Sequence, residues 1–237
     1  MRTKLVAEIG NNHLGNMTIA KKMIQQAKES GADMVKGQAY SPCDFQGGSM
    51  PINFYQMCHL SPWDHLDLSN FASSIGIEYF VSYFSFSQFA LLKYFKTHKF
   101  SASIIKMFFS AGIILDGNNL ILSVNNELRK LPEPGNLRDC VLLAATPYVE
   151  KEEDNKYDTS LLERLKVKYN VPIGYSDHNF GVDICLRLAQ EHYVCMIEKH
   201  FVLEEMKNNI RFAGQTFRDC QHAATPKEFE QLARGIK

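Results

Sequence analysis

The stretch that decides the fold reads Val171-Pro-Ile-Gly-Tyr-Ser-Asp-His178 and continues, after a helical run, as Val194-Cys-Met-Ile-Glu-Lys-His-Phe201. Two short apolar segments, Val171–Gly174 and Tyr193–Ile197, each lead directly into polar residues. Between them, Val182–Glu191 has the apolar spacing of one helix. A strand, a helix and a second strand of these lengths predict a right-handed βαβ unit with parallel strands.

Each of the two strands ends in three polar residues. The two groups are Ser176, Asp177 and His178, and Glu198, Lys199 and His200. Parallel α/β folds place their chemistry at the carboxyl ends of neighbouring strands, so we expect both groups at one mouth. One histidine at a strand end is more often a hydrogen-bonded structural residue than a ligand. Two histidines on adjacent strands, with carboxylates beside them, favour a divalent metal site.

Composition limits the classes of protein that the chain can belong to. Its 237 residues suit one large domain or two small ones, and 45% hydrophobic residues allow a full core. Lysine plus arginine and aspartate plus glutamate both number 26, so the net charge is zero. This balance gives no support for a nucleic acid or an anionic membrane as partner.

The cysteines and the first residues indicate a cellular compartment. Six cysteines are scattered without a C-x-x-C pair, which is typical of free thiols in a reducing compartment. The chain opens on a predicted strand and shows neither the apolar region of a signal peptide nor a run of about 18 apolar residues. We therefore expect a soluble, cytoplasmic protein.

Strands and helices alternate along the whole chain. Between the strands lie predicted helices such as Met17–Ser30, Ser61–Ser74 and Ser160–Tyr169, and residues 1–237 therefore predict a single α/β domain, a compact (β/α)₈ TIM barrel. The predicted strands are Leu5–Ile9, Asp33–Gln38, Ile77–Ser82, Ser101–Met107, Leu120–Val124, Cys140–Ala145, Val171–Gly174 and Tyr193–Ile197. The crossovers around strands four to six are barely a dozen residues long, so we expect shortened helices there.

Charged residues near the strand ends extend the candidate site. Glu8 lies near the end of the first predicted strand, and Lys36 and Gln38 lie at the far end of the second. For Glu8 and Lys36, a buried ion pair inside the barrel is the alternative interpretation. Asn11, Asn12 and His13 fit ordinary turn chemistry as well as a site. The long segment Ala39–His59 is a candidate cover for the mouth.

Two sets of motifs resemble the N-acetylneuraminate (sialic acid) synthase family. One pairs Tyr175-Ser-Asp-His178 with Glu198-Lys-His-Phe201, and the other pairs Ala7-Glu-Ile-Gly-Asn-Asn-His13 with Gly31-Ala-Asp-Met-Val-Lys-Gly-Gln38. The resemblance covers nearly the whole chain and is weakest between residues 108 and 138. These motifs are specific in combination, whereas the chain has no G-x-G-x-x-G motif and no P-loop.

The resemblance implies a reaction and a set of residues. The family condenses phosphoenolpyruvate with an N-acyl-mannosamine-type sugar aldehyde to give a nonulosonic acid, with Mn²⁺ or Mg²⁺ as cofactor. It implies catalytic residues Glu8, His178, Glu198 and His200, of which His178 and His200 would be the metal ligands. The implied substrate-binding residues are Lys36, Gln38, Lys106, Ser123, Tyr148 and Ser176.

Several positions depart from the family pattern. The family usually has an aromatic residue or histidine in place of Gly37, a serine near Phe109 or Ser110, and a polar residue in place of Pro147. An aspartate of the family's tail has no clean match, and Asp219 and His222 are the candidates. The family's C-terminal antifreeze-like domain, which covers the mouth from a partner subunit, has no counterpart in these residues. The resemblance therefore implies a homodimer or a separate lid protein, or poor turnover of the acceptor by the chain alone.

Three interpretations stay open. The first is an active phosphoenolpyruvate–sugar condensing enzyme of the transferase class. The second is another phosphoenolpyruvate-using or aldolase-type barrel, and the third is a degenerate barrel that binds a sugar or a partner without catalysis. A barrel fold alone does not decide among them.

Overall fold

A computed structural model describes residues 2–45, 50–112, 119–125, 131, 133, 137, 140–191 and 193–236. Eight parallel strands follow one another around a closed barrel, and β1 pairs with β8 to close it. The strands are β1 Lys4–Glu8, β2 Met34–Ala39, β3 Glu78–Tyr83, β4 Thr97–Phe100, β5 Asn119–Val124, β6 Cys140–Ala145, β7 Ile173–Asp177 and β8 Met196–His200. The predicted (β/α)₈ barrel is confirmed.

Helices surround this barrel in the described residues. They are α1 Met17–Glu29, α2 Ile52–Cys58, α3 Pro62–Ser74, α4 Ile105–Ser110, α5 Ser160–Lys168, α6 Asp183–Gln190, α7 Arg218–His222 and α8 Pro226–Gly235. Short 3₁₀ helices span Pro42–Phe45, Phe86–Tyr94, Glu152–Asp154 and Glu204–Met206, and a small hairpin pairs β9 Arg211–Phe212 with β10 Gln215–Thr216. No helix in these parts of the chain combines the length and the apolar character that crossing a bilayer requires.

Helix starts follow from local sequence. Ser61 caps α3, and Asp64 returns a bond to the Ser61 backbone in a capping box. Thr225 and Glu228 form the same box at the start of α8, each time with proline in the first turn. Serine or threonine followed by proline predicts a helix start at Ser61 and at Thr225, and both starts are confirmed. The helix α8 packs its apolar face on α1 and α6 next to the last strand.

The barrel interior is filled in layers because side chains alternate along each strand. One apolar layer comprises Val6, Met34, Phe80, Ile121, Leu143 and Met196. Two residues further along β1, β2 and β8, the inward positions are Glu8, Lys36 and Glu198. The apolar layer therefore forms the floor under a polar mouth at the carboxyl ends of the strands.

The predicted fourth strand is wrong. The sequence predicts it at Ser101–Met107, whereas β4 is Thr97–Phe100 and the run that follows forms the helix α4. The helix buries Ile105 and Phe108 on one face, because residues three apart lie on the same side of a helix. Lys106 consequently lies on the exposed side of a helix and does not end a barrel strand.

Strands seven and eight also differ from prediction at their ends. The strands β7 and β8 extend to Asp177 and His200, so all of these polar residues except His178, which follows β7, lie within the strands themselves. The alternation of strands and helices also predicts a helix at Gln88–Phe95, where the structure has a 3₁₀ helix from Phe86 to Tyr94. Most of the crossover from β5 to β6 lies outside the described residues.

Packing against the neighbouring strand explains why position 37 is a glycine. Gly37 points outward from β2, and a Cβ added there would collide with the hydroxyl of Tyr79 on β3. That hydroxyl is hydrogen-bonded to Nδ1 of His65 on α3 at 2.9 Å. Tyr79 thus fills the space next to Gly37 from the neighbouring strand. With glycine in place of the family's aromatic residue or histidine, Lys36 and Gln38 on either side of it still face inward.

This packing gives a stability prediction. We expect Gly37→Ala to lower the free energy of unfolding by about 1–3 kcal/mol, as overpacked cores do. Gly37→Ala combined with Tyr79→Phe should cost less than the sum of the two single changes, because the phenylalanine removes the colliding oxygen. Urea unfolding of the three variants measures this coupling, and strictly additive effects would contradict the proposed contact.

Candidate active site

A cavity of about 330 Å³ opens at the carboxyl ends of the strands. Nine of the ten predicted site residues line it. They are Glu8, His178, Glu198 and His200, together with Lys36, Gln38, Ser123, Tyr148 and Ser176. Five strands, β1, β2, β5, β7 and β8, and the segments that follow β6 and β7 contribute these residues, and only the barrel closure brings them together. The tenth residue, Lys106, does not line the cavity.

Two lysines and two glutamates form the base of the cavity. Lys36 is ion-paired with Glu8, and its Nζ lies 3.8 Å from Oε1 of Glu198. Lys99 Nζ lies 2.6 Å from the same oxygen of Glu198. The four side chains are almost fully buried, so they interact in a medium where charge is costly unless it is paired. Their formal charges cancel.

Lys99 is the cationic residue that sequence reasoning missed. It lies on β4 opposite Ser82 of β3, and both side chains line the cavity. The signal that could have found it is an inward-facing position on a short strand, which the alternation of side chains also gives to Lys36 on β2. The four-residue strand Thr97-His-Lys-Phe100 carries no apolar run, so the apolar pattern alone does not predict it.

Serine hydroxyls connect these charges. Lys36 Nζ donates to Oγ of Ser82 at 3.0 Å, and Oγ of Ser176 donates to Oε1 of Glu198 at 3.0 Å. Oε2 of Glu198 is buried and has no hydrogen-bond partner among the described residues. Lys36 and Lys99 outweigh the effect of burial and hold the pKa of Glu198 below its ordinary value. Glu198 is therefore an ionised acceptor at neutral pH.

The two predicted histidines lie close together at the ends of the neighbouring strands β7 and β8. Their ring centroids lie 5.5 Å apart. Nδ1 of His178 donates to the backbone carbonyl of Thr146 at 2.6 Å, which leaves the lone pair of Nε2 available. Nε2 of His200 lies 3.2 Å from the hydroxyl of Tyr148, and its Nδ1 is buried without a partner among the described residues.

Both imidazoles are neutral at neutral pH. Burial lowers the pKa of His178 to about 4, and the neighbouring His200 contributes to the shift. Burial, with Lys36 as the next cause, lowers the pKa of His200 to about 3. Neutral imidazole is the form that binds metal ions. The chemistry of these two groups thus fits a divalent cation.

The remaining ligands of such a cation would be water or substrate oxygens and not further side chains of the protein. Among the described residues, no three His, Cys, Asp or Glu side chains are grouped closely enough to hold a metal ion. Mg²⁺ and ions like it commonly keep several waters and bind substrate oxygens. The residues therefore fit a site in which His178 and His200 hold the cation and other positions stay open.

Asp219 and His222, the two candidates for the aspartate of the family's tail, differ in their position relative to the cavity. Asp219 lines the cavity, and its Oδ1 accepts a hydrogen bond from the Tyr148 hydroxyl at 2.7 Å. Burial raises the pKa of Asp219 above its ordinary value. Both ring nitrogens of His222 lie 2.9 Å from backbone carbonyls, those of Arg218 and Val149. Asp219 is thus the residue of this pair that can meet a ligand.

The first turn and the long loop also reach the mouth. Asn11 lines the cavity. Nδ2 of Asn12 donates to the carbonyl of Phe201, just after β8, and Nδ1 of His13 accepts from the amide of Gly15 within the turn. From the predicted cover, Phe45 and Tyr55 line the cavity and stack on each other with centroids 4.5 Å apart. Residues 46–49 of this cover lie outside the described ranges.

The closed barrel and its buried charged mouth define a (β/α)₈-barrel enzyme. Sequence comparison identifies the family to which it belongs. The model of the NeuB family matches residues 23–237. The chain belongs to the NeuB family, and it is an enzyme of the synthase type.

Named relatives agree with this assignment. The N,N'-diacetyllegionaminic acid synthase of Legionella pneumophila is 28% identical in an alignment that covers 92% of this chain and 72% of that protein. The pseudaminic acid synthase of Helicobacter pylori is 27% identical in an alignment that covers 85% of this chain and 66% of that protein.

A solved structure shares the fold. The crystal structure of N-acetylneuraminic acid (sialic acid) synthetase from Leptospira borgpetersenii, in complex with citrate, matches with a TM-score of 0.78 at 24% sequence identity. The match covers 100% of this chain and 83% of that chain. At this identity the likeness shows the barrel and not the substrate.

Proposed function

We propose that the protein condenses phosphoenolpyruvate with an N-acyl-mannosamine-type sugar aldehyde to give a nonulosonic acid and inorganic phosphate. One observation carries this proposal. Two lysines from separate strands, Lys36 and Lys99, meet at the base of a cavity that His178 and His200 also line. The named relatives support the class of product.

Phosphoenolpyruvate would bind through its phosphate and carboxylate. Lys36 and Lys99 are positioned to contact these anions, and the hydroxyls of Ser123 and Ser176 line the same cavity. Glu8 and Glu198 already balance the two lysine charges. A divalent cation on His178 and His200, Mn²⁺ or Mg²⁺, would compensate the added negative charge and polarise the aldehyde as a Lewis acid.

The reaction forms one carbon–carbon bond and exchanges the bond from C2 to the phosphate oxygen for a bond from C2 to the oxygen of water. C3 of phosphoenolpyruvate attacks the aldehyde carbon, the aldehyde oxygen takes a proton, and water adds at C2 before phosphate leaves. Glu198, which has one oxygen without a partner among the described residues, can accept a proton from that water. Asp219, whose pKa is raised by burial, can hold a proton beside the histidines. Glu8 and Gln38 can orient sugar hydroxyls at the mouth.

Phosphate release tests this function directly. The purified chain is incubated with phosphoenolpyruvate and Mn²⁺, with N-acetylmannosamine, with a 2,4-diacetamido sugar aldehyde, or with no aldehyde. We expect phosphate release that depends on an aldehyde and a product whose mass equals the sugar plus pyruvate. Equal release without aldehyde would indicate a hydrolase, and binding without release would indicate a degenerate barrel.

The proposal also predicts a pH dependence. Burial lowers the pKa of Lys36 to about 7, while Glu198 opposes and Lys99 adds to the shift. The lysine charge is complete below this pKa and is lost as pH rises through it, so we expect the KM for phosphoenolpyruvate to rise above neutral pH. Lys36→Arg keeps its charge at all these pH values and should remove this rise. A KM that stays flat to pH 9 in the wild type would contradict the assignment.

A further inference from the structure

A buried ion pair lies behind the two histidines, on the outer side of the barrel wall. Lys199 is fully buried, and its Nζ lies 2.5 Å from Oδ2 of Asp177 and 2.5 Å from the backbone carbonyl of Asn179. Asp177 and Lys199 are direct partners in the register of β7 and β8. Neither residue lines the cavity, so the proposed chemistry leaves this pair unexplained.

The members of this pair adjoin the histidines in sequence. Asp177 precedes His178, Asn179 follows it, and Lys199 precedes His200. Because side chains alternate across a strand, Lys199 points outward where His200 points inward. Any shift of the outward pair along the strands would therefore move both imidazoles.

Further hydrogen bonds hold the turn after β7. Nδ2 of Asn179 donates to Oδ1 of Asp177 at 2.7 Å, and its Oδ1 accepts from the amide of Lys156 at 3.1 Å. Asn155 exchanges two bonds of 2.9 Å with the backbone of Phe180. The backbone on the far side of His178 is thus fixed from the loop before α5.

We propose that Lys199 and Asp177 are positioning residues that set the separation and orientation of His178 and His200 for metal binding. A buried ion pair is weak evidence for stability, because an apolar pair of similar volume often stabilises as well. Groups that orient metal ligands from outside the coordination sphere typically change metal affinity about 10–100-fold. The inference rests on the proposed metal role of the two histidines.

The test separates positioning from stability. The double variant Lys199→Met with Asp177→Leu removes both charges together, so neither is left buried and unpaired. Leu68→Ala on α3, on the other side of the barrel, is the matched destabilised control. Mn²⁺ affinity is measured by titration calorimetry and phosphoenolpyruvate affinity by fluorescence, both on variants whose thermal unfolding shows a folded state.

We expect the double variant to bind Mn²⁺ at least about tenfold more weakly, while phosphoenolpyruvate affinity measured without metal changes less than about threefold. The control should lose thermal stability and keep its Mn²⁺ affinity. Mn²⁺ affinity within twofold of wild type in the double variant, or an equal loss in Leu68→Ala, would overturn the proposal.

A readout without metal keeps the test decisive. If the wild-type chain bound no Mn²⁺, the proposed metal role would fail. NMR spectra of the imidazole nitrogens in the metal-free protein would then show whether Lys199 and Asp177 position the two histidines. We expect the signals of His178 and His200 to shift or split in the double variant and to stay unchanged in Leu68→Ala. Identical signals in wild type and double variant would overturn the positioning role.

Discussion

Lys99→Met is expected to abolish measurable condensation, with kcat/KM for phosphoenolpyruvate falling at least about 1000-fold, equivalent to about 4 kcal/mol of transition-state stabilisation. The change removes one of two cations at the base of the cavity and leaves Glu198, to which Lys99 is bonded at 2.6 Å, without that partner. Initial rates over a range of phosphoenolpyruvate concentrations measure the effect.

Lys106→Met is the matched control, because it makes the same chemical change seven residues away. Lys106 lies exposed on α4, outside the cavity, so its replacement should change kcat/KM less than about twofold, as surface substitutions do. Thermal unfolding shows whether Lys99→Met still folds, and Lys99→Arg provides a second variant that keeps the charge. A large loss in Lys106→Met with little loss in Lys99→Met would contradict the position of β4.

His200→Ala is expected to remove metal-dependent activity by at least about 100-fold and to weaken Mn²⁺ binding below detection, since it deletes one of two imidazoles. Phosphoenolpyruvate measured without metal should still bind, because Lys36 and Lys99 remain. Calorimetric titrations with Mn²⁺ and with phosphoenolpyruvate, made on the same preparation, separate these two effects.

His222→Ala is the control for this change. His222 is also buried near Tyr148, yet its ring nitrogens contact backbone carbonyls and it does not line the cavity. We expect it to lower stability and to leave Mn²⁺ affinity nearly unchanged. Retained Mn²⁺ affinity in His200→Ala, or an equal loss in His222→Ala, would show that the histidine pair does not hold the metal.

Much of this site could be predicted from sequence because the barrel makes strand ends converge. Glu8, Lys36 and Glu198 each follow a recognisable apolar strand, and alternation alone then places them inward at one mouth. The order of elements along the chain fixes which strands are neighbours, so His178 and His200 could be expected together. The structure brings these residues into one cavity.

Other parts depend on tertiary contacts that periodicity does not contain. The run around Ile105 is apolar enough for a strand, but its spacing also suits a helix, and the real strand carries His98 and Lys99 instead. Charged side chains in a strand are favourable only because Glu198 arrives from the other side of the barrel. Asp219 likewise reaches the mouth through its bond to Tyr148, which is 71 residues away in sequence.

A crystal structure of the chain soaked with phosphoenolpyruvate and Mn²⁺ tests the central claim most directly. We predict phosphoenolpyruvate at the base of the barrel mouth, with its phosphate or carboxylate in hydrogen-bond distance of Lys36 and Lys99, and Mn²⁺ bound by His178 and His200. Anomalous scattering identifies the metal. Phosphoenolpyruvate bound elsewhere, or held by Lys106 with Lys99 still paired to Glu198, would contradict this account.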